Sequence, residues 1–148
     1  FQCALGLTQL KKLPGWIARR NAIAAQYDSA FLHPPTPALR PLSPPQYAHV
    51  HGRHLYVVRV PADRRAGIFA GLRKRGIGVN VHYVPIHLHP FYRERFGTGP
   101  GLCPVAEAAY EQLISLPLYP DLTDEQVGEV VEAVRAELRA AGAGGPHP

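Results

Sequence analysis

The sequence predicts a small α/β domain, about three strands covered by helices, joined to long helical structure at its N-terminal side. Three observations carry that expectation. Apolar residues recur at three- and four-residue steps near both ends of the chain, short β-branched runs break the middle, and 46% of the 148 residues are apolar. That is enough for one sizeable core and too little chain for two. No stretch approaches the roughly 18 uncharged apolar residues of a membrane span, and the start lacks the order of a signal peptide. A cytoplasmic protein without a membrane partner is the expectation.

Leu10, Leu13, Ile17, Ala24, Tyr27 and Phe31 form one apolar stripe on helical structure from about residue 3 to 32. Pro14-Gly15 interrupts it, which predicts a short helix, a bend and a longer helix. Residues 33–45 contain six prolines, the mark of an extended linker. The run His54–Val60 reads as a strand ending at Pro61, and Asp63 is placed to cap a helix that buries Ile68, Phe69 and Leu72 and stops at a left-handed Gly76. Ile77 to Tyr83 alternates as a second strand, completing a strand, helix, strand unit. Pro104 opens a further helix expected to cover the sheet through Val105, Ala106, Ala109 and Leu113. Ser115 to Leu118 suits an edge strand. Thr123 and Gln126 have capping-box spacing ahead of a helix buried through Val127, Val130, Val131, Val134 and Leu138. The expected organisation is connecting helices over 1–33, a Pro-rich linker over 34–53, the α/β domain over 54–141 and a disordered tail over 142–148.

Charge points away from nucleic acid. The formal net charge of +5 comes from 13 Arg and 3 Lys, and the clusters at 64–65 and 73–75 fall on one short helix as a solvated face without interleaved aromatics. Cys3 and Cys103 lack zinc-motif spacing and read as reduced thiols, Cys103 as a buried small residue. The chain begins at Phe1 and contains no methionine, which is expected of a processed or truncated piece.

The densest polar segment runs from Asn80 to Tyr92, at and beyond the end of the second expected strand, where α/β folds open clefts. Its three imidazoles, two phenols and one amide can meet phosphate or sugar hydroxyls, stack on a ring, or cap the backbone of a proline-rich loop. A metal site is not expected, because the segment holds no Asp or Glu to orient ligating histidines. No nucleophile elbow is present, and Gly97–Gly101 lacks the strand and lysine of a phosphate loop.

Three stretches then resemble one family in order and spacing: Cys3–Leu10 (CALGLTQL) with Arg19, Arg20, Ile23, Ala24 and Tyr27 following; His82–His87 (HYVPIH); and Ser115–Pro120 (SLPLYP). Together they resemble the DegT/DnrJ/EryC1/StrS sugar aminotransferases, over almost the whole chain. Within that family, Gly78–Tyr92 is most similar to the enzymes that aminate a UDP-4-keto-6-deoxy-N-acetyl-altrosamine on the path to pseudaminic acid. The resemblance implies the small C-terminal domain of a fold-type I, pyridoxal phosphate-dependent transaminase. It also implies a homodimer, with glutamate as amino donor and a UDP-keto sugar as acceptor. By the same resemblance His82, Tyr83, Val84 and Pro85 contact the nucleotide-sugar with His87 nearby, and Tyr92 is a further candidate. The cofactor lysine has no counterpart among Lys11, Lys12 and Lys74, so the chain alone is expected to be inactive and without cofactor. A free-standing nucleotide-sugar-binding or regulatory module is the alternative. It has little use for the long apolar-striped helix.

Overall fold

The structure is a computed structural model that describes residues 1–42 and 47–143. It begins with α1 (Gln2–Leu32), passes through β1 (Arg40–Pro41) and β2 (Tyr56–Arg59) to α2 (Ala62–Lys74), and then enters a long excursion. The excursion holds a 3-10 turn (Ile86–Leu88), α3 (Pro90–Phe96) and α4 (Pro104–Tyr110), and it returns as β3 (Leu113–Leu116) before α5 (Asp124–Ala143). The sheet is antiparallel in the order β1-β2-β3, with Tyr56 opposite Leu116 and Arg59 opposite Leu113.

The core lies where α1, α2 and α5 meet β2 and β3. Tyr27 and Phe31 of α1 are fully buried, as are Ile68 and Leu72 of α2, Val58 and Ile114 of the sheet, and Val134 of α5. Each such side chain contributes about 1.5–3 kcal/mol relative to exposure. Polar ties fix the helices over this core. Arg19 pairs with Asp124 at 2.8 Å and also donates to the Leu122 carbonyl, and Gln26 donates to Asp124 at 2.8 Å. Those hydrogen bonds, from Gln26 and then Arg19, hold the Asp124 carboxyl below its ordinary value. At Gly71 of α2 a Cβ would overlap the carboxylate end of Glu137 of α5, which Arg75 holds at 2.6 Å.

Several sequence expectations stand. The capping box is formed: Gln126 N–H donates to Thr123 Oγ1 at 3.2 Å, and the Gln126 amide oxygen accepts from Thr123 N–H at 3.0 Å. All five apolar residues expected on the inner face of α5 are buried. Gly76 takes φ +80.

Others are corrected. Helix α1 is continuous through Pro14 rather than broken. Pro14 has no N–H to give the Leu10 carbonyl, but this turn is open to solvent, which can take that place. The apolar stripe divides in function: Ile23, Ala24, Tyr27 and Phe31 are buried, whereas Leu10 and Leu13 are exposed. The residues read as a linker supply β1, paired with β2 through Arg40 and Pro41; residues 43–46 lie outside the described part.

Asp63 does not cap α2. Pro61 is the N-cap and makes no side-chain bond, while Asp63 sits in the first turn, where it favours the helix dipole. The second expected strand, 77–83, is reduced to one bridge between Asn80 and Ser115. Asn80 Oδ1 accepts from Val81 N–H at 2.8 Å, a local bond that competes with a continuing ladder. Helix α4 buries none of its residues, and Leu113 belongs to β3. Cys103 is exposed, as is Cys3. Helix α5 runs to Ala143, into the stretch expected as tail; residues 144–148 lie outside the described part.

Candidate substrate-facing loop

The polar segment begins where β3 ends. Ser115 and Asn80 exchange backbone hydrogen bonds, Ser115 N–H to the Asn80 carbonyl at 2.8 Å and Asn80 N–H to the Ser115 carbonyl at 3.2 Å. This pair of hydrogen bonds pins the chain as it leaves the core. Two residues later the His82 ring places Nδ1 2.9 Å from the buried Ser115 Oγ. The backbone bridge and the side-chain bond therefore share one residue, and His82 is fixed at the sheet edge.

The next residues turn outward. The His82–Tyr83 peptide is cis, and the two rings meet edge to face at 4.6 Å. Tyr83 is 70% exposed and Val84 40%. Pro85, at φ −54, starts the 3-10 turn over Ile86–Leu88, with Leu88 N–H donating to the Pro85 carbonyl at 2.9 Å. His89 donates from Nε2 to the Val84 carbonyl at 3.2 Å, closing the loop on itself. A phenol, an imidazole and the apolar side chains of Val84 and Pro85 are thus presented on a short surface loop.

His87 faces the other way. It is only 8% exposed, and its Nε2 lies 2.8 Å from Glu107 Oε1. Glu107 also accepts from Gly101 N–H at 2.9 and 3.0 Å and from Cys103 N–H at 3.2 Å. Led by the Gly101 bond and followed by the one from His87, these hold its carboxyl below the ordinary value. A carboxylate only accepts, so His87 Nε2 carries the hydrogen. Thr98 Oγ1 donates to the His87 carbonyl at 2.8 Å. His87 and His89 therefore serve different partners, Glu107 and the Val84 carbonyl, as the backbone-capping reading of these histidines allows.

Beside the loop lies a groove of about 440 Å³. It is lined by Asn80, His82 and Ser115, by Leu118 and Tyr119, and by Gln126 of α5. Of the expected site residues His82 lines this groove, while Tyr83, Val84 and Pro85 follow it along the loop outside the groove lining; His87 is buried against Glu107, and Tyr92 lies on α3, 38% exposed. Sequence reasoning missed Ser115 and Glu107 as parts of the loop's support. For Glu107 a signal existed, since a carboxylate in the first turn of a helix after a glycine-rich segment is placed to collect loop amides.

The residues present do not by themselves fit pyridoxal phosphate, which requires an imine-forming lysine. Lys11 and Lys12 are on α1, Lys12 with Nζ 6.0 Å from the Trp16 ring centre, and Lys74 ends α2. None of the three lines the groove.

Comparison with known proteins decides the family. The model of the DegT/DnrJ/EryC1/StrS aminotransferase family matches residues 1–135. The chain belongs to this family. Among DegT/DnrJ/EryC1/StrS relatives, the spore coat polysaccharide biosynthesis protein SpsC of Bacillus subtilis is 39% identical over 150 residues, covering 95% of this chain and 37% of SpsC. Helicobacter pylori PseC, an aminotransferase involved in the biosynthesis of pseudoaminic acid, superposes with a TM-score of 0.84 at 34% identity, covering 94% of this chain and 37% of PseC. The Streptococcus pneumoniae protein Spr1654 in its PLP form gives a TM-score of 0.84 at 34% identity, covering 93% of this chain and 35% of that one. The α/β fold is thus the one found within these family structures, and the chain spans about a third of the length of the relatives it matches.

Proposed function

We propose that this chain is the C-terminal part of a pyridoxal phosphate-dependent nucleotide-sugar aminotransferase. The whole protein transfers an amino group from glutamate to a UDP-4-keto-6-deoxy sugar, on the model of the altrosamine-forming transaminase of pseudaminic acid synthesis. The observation that carries the reading is the outward-facing loop: His82 anchored on Ser115, with Tyr83 and Val84 exposed beside it. In that role the His82 ring and the Tyr83 hydroxyl offer hydrogen bonds to sugar and phosphate oxygens. Val84 and Pro85 have no polar side-chain atoms and act through their backbone and shape, and His87 lies behind them. Family membership and the likeness to PseC support the substrate class. When bound, the cofactor supplies the electron sink for moving the amino group; this chain supplies substrate contacts only, and alone it is inactive.

The whole protein is a cytoplasmic homodimer in this reading. Leu5, Leu7 and Leu10 of α1, all more than 60% exposed, are the apolar surface that further protein covers. They also count against a free-standing binding module, which would leave them in water. Among the described residues no helix is long and apolar enough to cross a membrane.

The test joins this chain to the large domain of a family member and follows amino transfer from glutamate to the UDP-4-keto-6-deoxy sugar. The expected result is transfer by the joined protein, none by the chain alone, and loss of transfer on Tyr83→Ala. A joined protein that binds the cofactor but transfers nothing, while the isolated chain binds UDP-sugar without cofactor, would favour the module instead.

A further inference from the structure

Glu107 lies outside the segment that faces the groove, yet it is where that segment is tied down. Its carboxylate gathers Gly101 N–H, Cys103 N–H and the His87 ring within 3.2 Å. The first two close the end of the 97–103 loop, and the third reaches back 20 residues to the 3-10 turn. That turn follows Pro85 directly, and it is also held by its own bonds, Leu88 N–H to Pro85 and His89 N–H to Ile86, by Thr98 Oγ1 on the His87 carbonyl at 2.8 Å and by His89 Nε2 on the Val84 carbonyl at 3.2 Å. Beyond Val79, fully buried apolar side chains do not hold this excursion. No residue of α3 or α4 is buried, and Ile86 is 63% exposed. His87 is the side chain within the 3-10 turn that is buried, and its visible polar partner is Glu107.

We infer that Glu107 is a positioning residue for substrate binding: through His87 it fixes the 3-10 turn behind Tyr83–Pro85 and so sets how that edge is presented to the nucleotide-sugar. The inference rests on the substrate-facing reading of this loop. It does not make Glu107 or His87 a substrate contact. A carboxylate hydrogen-bonded to two amides and an imidazole is preorganised, so its loss releases two loops at once. Gln in place of His87 carries an amide nitrogen where Nε2 stood and can still donate to Glu107, whereas Ala cannot.

The experiment measures amide hydrogen exchange on the full chain for Glu107→Ala, His87→Ala and His87→Gln. Glu107→Ala is expected to speed exchange at Leu88, His89, Gly101 and Cys103 on the order of ten-fold, the effect of losing a charged hydrogen bond. His87→Ala speeds Leu88 and His89 but leaves Gly101 and Cys103 protected, and His87→Gln restores Leu88 and His89. The core amide Val60, bonded to the Gln112 carbonyl at 3.0 Å, stays unchanged and reports that the variants are folded. Unchanged exchange at Leu88 and His89 in both alanine variants overturns the inference, leaving Glu107 as a cap of the 101–103 turn alone. In the joined aminotransferase, KM for the UDP-keto sugar rises in both alanine variants with kcat little changed, and His87→Gln recovers it. Failure of His87→Gln to recover KM while it does restore exchange makes His87 a direct contact and overturns the positioning role. If the unsubstituted joined protein transfers nothing, the aminotransferase reading is what fails, and the exchange pattern still decides the tie.

Discussion

Tyr27 joins the long helix to the groove, and removing its hydroxyl tests whether that join is energetic or merely geometric. The ring is fully buried, stacked on Phe31 at 6.0 Å and tilted against Tyr56 at 4.8 Å. Its hydroxyl donates to the Pro117 carbonyl at 3.0 Å, on the stretch that forms the groove wall. Tyr27→Phe keeps the ring and deletes one hydrogen bond, leaving a half-buried carbonyl without its donor. The expected loss is about 1–1.5 kcal/mol. Tyr27→Ala also deletes the ring and should lose about 3–5 kcal/mol, a large part of a domain's total stability. Urea denaturation followed by circular dichroism at neutral pH measures both. Burial raises the Tyr27 hydroxyl above the ordinary 10.0, and the same holds for Tyr56, whose hydroxyl donates to Asp28. Both stay protonated when folded, so stability is complete below pH 10 and falls as pH rises above it, where only the unfolded chain ionises. Tyr27→Phe should therefore flatten the alkaline limb. A phenylalanine variant as stable as the parent, or an alkaline limb that keeps its slope, would refute the reasoning.

Thr123→Ala removes the acceptor for Gln126 N–H at the start of α5 and should destabilise the domain by about 1 kcal/mol, read as a lower urea midpoint with unchanged slope. Leu5→Asp with Leu10→Asp, on exposed turns of α1, should reduce concentration-dependent self-association of the isolated chain in sedimentation velocity; a parent chain monomeric at all concentrations would contradict it. Glu107 is held below the ordinary carboxyl value of 4.5, first by Gly101 and then by His87. Its tie is thus complete above pH 4.5 and is lost as pH falls through the lowered value. The Gly101 amide resonance should titrate with a midpoint below 4.5, and one at or above it would count against the tie.

How much of this was legible in sequence depended on how local the cause was. The α5 cap and inner face could be read because both are fixed by residues within a few positions of one another. The β2 run and the Gly76 stop were equally local. The errors came from context. Pro14 looks like a break by propensity, but a turn in water tolerates the freed carbonyl, and the helix continues. Ile77 to Tyr83 has strand composition, yet a strand needs a partner of matching length. Among the described residues its strand-like pairing is a single bridge to Ser115, the last but one residue of β3, and toward Gly78 Pro117 lacks the N–H to extend it.

The candidate site divides in the same way. Its outward face was visible as a dense polar run, because three imidazoles and two phenols fall within the thirteen residues from Asn80 to Tyr92. Its support was not visible, because Ser115 and Glu107 are 33 and 20 residues away from the histidines they hold. The consequence concerns specificity. On the proposed function, a change at Glu107 would alter how residues 82–85 are presented without Glu107 touching the ligand. A long-range hydrogen bond thus acts on binding through geometry, and the arrangement makes His87 the point where the two kinds of effect can be separated. Its ring is buried against Glu107, while Val84, three positions earlier, is exposed.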